Sequence, residues 1–153
     1  MNNEAYLSDT PVLGVGAAYA SGDAVGGGMC FPFLREALDR AGAAVNFTVT
    51  MQSTAVQPEL ELLLFDYDFT ATADNAPFNP SAGDLANHCL GVVKIDAIEW
   101  CVYAANQIAT VSIPVVLASG DTVGSVYAQL VTRTVFTPAA ADEITVGFGL
   151  LFN

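Results

Sequence analysis

Residues 43–52 read AAVNFTVTMQ, and within them Val45, Phe47, Val49 and Met51 alternate with Asn46, Thr48 and Thr50. Successive side chains of an extended chain point to opposite faces, so the pattern predicts a strand with one apolar and one polar face. LELLLF (60–65) is apolar almost throughout and predicts a strand covered on both sides. GVVKID (91–96), IEWCVY (98–103), QIATVSIPVV (107–116), VGSVYAQLVTRTV (123–135) and EITVGFGLLF (143–152) predict further strands, and Pro114 places the third of these near an edge or a bulge. Helical spacing is confined to PFLREALDRAG (32–42), where Pro32 suits a first turn, Gly42 suits a C-cap, and Leu34, Ala37, Leu38 and Ala41 share a face. A second helical turn is expected from Ser81, with Asp84 three residues on as in a capping box. About seven or eight strands separated by turn signals predict an all-β, single-domain β-sandwich with one or two short helical turns. Immunoglobulin-like and jelly-roll arrangements both satisfy the pattern.

The 153 residues suffice for one core, and no linker divides them. Hydrophobic residues make up 53% and charged residues only 13%, about half the roughly 25% of ordinary globular chains. So thin an ionic coat predicts that much of the surface is covered by other subunits or a partner. Sixteen acids against four bases give a net charge of −12, which argues against nucleic acid as a partner. A membrane span is not expected either. The longest uncharged stretch, Trp100 to Gly120, carries Asn106, Gln107, Thr110, Ser112 and Pro114. MNNEAYLSDT has neither a basic nor an apolar region, so it predicts no signal peptide. Cys30, Cys89 and Cys101 form no CxxC pair and are expected as reduced, buried thiols in a chain made in the cytoplasm.

Two octets nearly repeat, ASGDAVGG at 20–27 and ASGDTVGS at 118–125. The first lacks the Lys-Ser/Thr of a phosphate loop, and Tyr19 stands where a dinucleotide fingerprint needs glycine. Both read as turns that launch strands: Gly22 and Gly120 permit positive φ, and Asp23 and Asp121 can bond nearby backbone amides. DYDFTATADNAPFNPSAGD (66–84) is the longest loop. Its Asp66, Asp68 and Asp74 suggest calcium, but Ala71 and Pro77 stand where an EF-hand requires Gly and Glu. His88 adjoins Cys89, and neighbours on an extended chain face apart, so no Cys–His couple is expected. No triad or selected carboxylate pair emerges, and the chain is read as non-enzymatic, with no catalytic residue, metal or cofactor assigned. Tyr67, Phe69 and Phe78 in the long loop are candidate subunit or capsid-interface anchors, with core plugging and lectin-like platforms as the other roles open to them.

The order YASGDAVGG, LREALDRAGAAVNFTVTMQ, PELELLLFD, TADNAPFNPSAGD, GVVKI, SGDTVGSVYAQLVTR and EITVGFGLL resembles a group of tailed-bacteriophage head proteins, the capsid decoration or cement proteins. The resemblance runs from about Tyr19 onward and rests on the two Gly-Asp turns and the Asp74-Asn75-Ala76-Pro77-Phe78 loop. It implies a jelly-roll-like sandwich over 19–153, preceded by an arm or irregular lead-in over 1–18. It also implies a homotrimer, favoured over a dimer, on the outer capsid surface of a virion, cementing neighbouring major capsid protein subunits. No nucleic acid, membrane or cofactor enters that picture. The alternative is a carbohydrate-binding β-sandwich module, a head fibre or lectin-like protein.

Overall fold

The computed structural model describes residues 4–32, 41–113 and 124–152. Nine strands occupy them: β1 (Glu4–Asp9), β2 (Ala24–Pro32), β3 (Ala41–Met51), β4 (Leu60–Phe65), β5 (Cys89–Ile95), β6 (Trp100–Tyr103), β7 (Asn106–Ile113), β8 (Ser125–Thr132) and β9 (Ile144–Phe152). One sheet has the order β1-β9-β3-β7-β6 and the other β2-β8-β4-β5, with every neighbouring pair antiparallel. The chain stays within a sheet only at the β4–β5 and β6–β7 steps and changes sheet at every other one. With β6 counted as an extra partner of β7, this is the interleaved double Greek key of a jelly roll. The expected all-β sandwich is therefore the fold.

The inward faces follow the sequence alternation. Phe47, Val49 and Met51 of β3 meet Leu60, Leu62 and Leu64 of β4 and Val126, Ala128 and Leu130 of β8 in one core. Phe148 of β9 joins the sheets there, edge-on to Phe31 of β2 at 4.3 Å and to Phe47 at 4.7 Å between centroids. β4 is covered on both sides, as its composition predicts. Its other face places Leu63 and Phe65 in a second cluster with Val131 and Phe69.

Three expectations change. Pro32 pairs with Ser125 as the last residue of β2, while Ala41 and Gly42 belong to β3, so the ends of the expected 32–42 helix are strand. Proline is tolerated there because β2 lies at a sheet edge and needs no outward N–H. Residues 33–40 lie outside the described residues. Residues 1–18 do not form only a lead-in: Glu4–Asp9 make β1 along β9, and Leu13 enters the core. Finally, Ile98 and Glu99 sit in a 3₁₀ turn (Ala97–Glu99) ahead of β6.

Candidate functional site

The segment Asp66–Asp84 folds back over the outer face of the four-stranded sheet, and three sets of contacts hold it there. The first is backbone pairing. Asn75 N–H donates to Ala24 C=O at 2.9 Å, Ala24 N–H to Ala76 C=O at 2.8 Å, and Phe78 N–H to Gly22 C=O at 2.9 Å. The ASGD turn and the DNAPF loop, about fifty residues apart in sequence, thus lie side by side. Gly22 has φ +98°, a conformation that glycine adopts without strain, and Asp23 Oδ2 accepts the Ala20 N–H at 2.7 Å. This is the turn geometry expected of the first octet. In the second octet, Gly120 and Asp121 lie outside the described residues.

The second set converges on Asp74. Its Oδ1 accepts the Tyr19 hydroxyl and the Gly26 N–H, both at 2.6 Å, and its Oδ2 accepts the Gly14 N–H at 2.7 Å. One carboxylate thereby ties the lead-in, the start of β2 and the long loop together. Tyr19 is fully buried and stacked on Phe136, and burial together with the bond to Asp74 holds its phenol well above the usual range. Gly26 sits in a β-bulge at φ +71°, and any β-carbon there would collide with Pro11.

The third is Gln129 of β8, fully buried. Its amide nitrogen donates to Gly26 C=O at 3.0 Å and Thr72 C=O at 2.6 Å, while its oxygen accepts the Thr72 N–H at 3.0 Å. A glutamine in an apolar strand gives no hint of its partner in the sequence, and neither Gln129 nor the triple role of Asp74 was foreseen.

The candidate anchors separate under this packing. Phe69 is 6% exposed, stacked on Phe65 at 4.0 Å, and Phe78 packs against the same cluster. Phe69 is accordingly removed from the interface assignment, because covering Leu63 and Phe65 with the loop consumes its ring. Tyr67 alone of the three stays exposed, packed on the His88 imidazole at 4.4 Å. His88 Nδ1 in turn lies 2.9 Å from Asp66 Oδ1.

Asp66, Asp68 and Asp74 are not brought together. Asp66 faces His88 and Asp74 is engaged by its three donors, while Asp68 lines a separate hollow of about 470 Å³ beside Cys30. Among the described residues no group of three or more His, Cys, Asp or Glu is placed to hold a metal ion. Cys89 Sγ lies 3.8 Å from Gly91 C=O, while His88 Nδ1 engages Asp66 Oδ1. The cysteines are free, but none is buried as expected: Cys30 and Cys101 are exposed, each at an outward position on an edge strand, and Cys89 is half-buried. Trp100 is 7% exposed, with its indole N–H donated to Pro58 C=O, so it offers no platform to a ligand.

Below the loop, Ser81 caps the short helix α1 (Ala82–Asn87) as expected. Ser81 Oγ accepts the Asp84 N–H at 3.0 Å and donates to Asp84 Oδ2 at 2.7 Å. Lys94 and Arg133 both reach Glu61, at 4.0 and 2.7 Å. No helix among the described residues is long and apolar enough to cross a membrane. No protein-family model matches the chain, and no curated protein matches it.

Proposed function

We propose that the chain is a non-enzymatic virion structural protein of a tailed bacteriophage, a decoration or cement protein on the outer capsid surface. It bridges neighbouring major capsid protein subunits and stands there as a homotrimer. The observation that carries this reading is the β6 edge. β6 ends its sheet, so one backbone edge has no strand beside it among the described residues. Natural edges are guarded by shortness, lysine, proline or bulges, and the four-residue WCVY has only the first of these. Around it Ile98 is 87% exposed, Tyr103 64% and Val102 50%. The strand itself is uncharged and apolar, with Asp96 and Glu99 only at its N-terminal side. On a chain of net charge −12 it is where another acidic copy or a capsid subunit can approach with less repulsion. A standard interface of about 800 Å² per partner would cover it. The acidic balance suits the outside of a shell better than contact with packaged DNA. Jelly rolls also occur among capsid domains, which supports the reading by analogy of fold alone.

Native mass measurement tests the assembly. The purified chain is expected at three times its 15.9 kDa mass. Val102→Asp, which puts a charge on the exposed edge, is expected to shift it to monomers without loss of fold. A wild-type chain that stays monomeric at ~100 μM, well above the micromolar range of ordinary weak interfaces, would contradict the homotrimer.

A further inference from the structure

Beside the foot of the Asp66–Asp84 loop lies a cleft of about 650 Å³, lined in part by Tyr67, Thr70, Asn79, Ser81 and Asp84. Its volume falls within the roughly 300–1,000 Å³ of small-molecule sites, but it is open and polar where most such sites are enclosed and apolar. Two independent features make it more than loop surface.

The first is a fixed aromatic ring. Tyr67 is 41% exposed, yet its ring packs on His88, which Asp66 holds at 2.9 Å. A ring already packed on one neighbour loses less freedom when a ligand stacks on it than a free one does. The second is a carboxylate in the cleft wall with one oxygen left to solvent. Asp84 is 9% exposed and its Oδ2 is held by Ser81, while Oδ1 accepts no hydrogen bond from the described residues. No buried side-chain polar atom among those residues lacks a partner, so this oxygen is reached by solvent. A sugar hydroxyl that displaces this solvent keeps a charge-assisted hydrogen bond to the carboxylate.

The lining also restricts the ligand. It contains one carboxylate and no cation, which repels phosphate, sulfate and carboxylate groups. Its walls are mostly polar, which does not suit a lipid chain. A sugar ring matches what remains. Its C–H face stacks on an aromatic ring, and its hydroxyls donate to a carboxylate and exchange hydrogen bonds with Thr70 and Asn79.

We infer that the Tyr67–Asp84 cleft binds a neutral saccharide. This site does not depend on the capsid reading, and either survives the failure of the other. The test is an array of neutral, sialylated and sulfated glycans, with hits repeated in solution by NMR titration using the free neutral sugar. Binding of neutral glycans is expected with Kd of ~1 mM or tighter. Tyr67→Ala is expected to weaken it at least tenfold and Asp84→Asn severalfold, with thermal melts unchanged, while Val135→Ala on exposed surface leaves binding intact. Asn79→Ala, at an exposed position, takes the place of Tyr67→Ala should that variant melt early, and is expected to weaken binding severalfold. The inference is overturned by no neutral glycan binding, by hits confined to anionic glycans, or by binding that the cleft variants leave unchanged.

Discussion

Asp74→Ala is expected to lower the unfolding free energy by about 4 kcal/mol. The carboxylate accepts Tyr19 Oη–H, Gly26 N–H and Gly14 N–H, all within 2.7 Å. Hydrogen bonds to a charged group contribute about 1.5–3 kcal/mol each, and a buried donor left unpaired costs its desolvation. Tyr19 is fully buried, so its hydroxyl has little access to water once Asp74 is gone. Asp74 itself is only half-buried, and water entering from its exposed side holds the total below the simple sum. Against the roughly 5–15 kcal/mol by which domains are stable, the loss is severe. It corresponds to a Tm lower by about 10 °C for a chain of this size. Asp74→Asn keeps one acceptor oxygen and is expected to lose about half as much. Denaturant titration of the two variants provides the measurement, and a loss below about 1 kcal/mol for Asp74→Ala would show that the three segments hold together without it.

Gln129→Leu is expected to cost about 3 kcal/mol, with a different distribution through the molecule. Leucine conserves much of the volume, so packing within β8 changes little. What is lost is the clamp on Thr72, together with the donor to Gly26 C=O. The sheet retains its ladders, while the loop loses the partner of both Thr72 backbone groups. Amide exchange should therefore accelerate most over residues 66–81 and little in β3, β4 and β9, since local opening depends on local contacts. Uniform acceleration across all strands would mean that Gln129 supports the sandwich itself and not the loop.

These two side chains also mark where legibility in the sequence ends. Alternation in AAVNFTVTMQ identified the buried face of β3 because period-two burial is a local property. The nearly continuous apolar run LELLLF announced cover on both sides of β4, and the Ser81–Asp84 spacing announced α1, each within a few residues. Asp74 and Gln129 act on partners 48 to 103 residues away, and no spacing encodes such distances. The proposed helix at 32–42 failed at its ends because Pro32 and Ala41 have sheet partners that override local helical preference. Glu4–Asp9 alternates too weakly to announce β1, which is defined by pairing with β9. The Tyr67 cleft was legible only as an aromatic, polar loop. Which of its three rings stayed outside was decided by the second apolar cluster, a tertiary outcome.

Those contacts hold a sandwich whose β6 edge is bare among the described residues, and the proposed function has neighbours cover it. The capsid proposal is tested most directly by adding the purified protein to tailed-phage heads that lack a decoration protein, then imaging the sedimented particles at side-chain resolution. The account predicts ordered density on the outer shell between capsomers, with β6, Ile98 and Tyr103 buried against a neighbouring copy or a capsid subunit. Heads that sediment bare, or a bound protein whose β6 edge remains in open solvent, would contradict it.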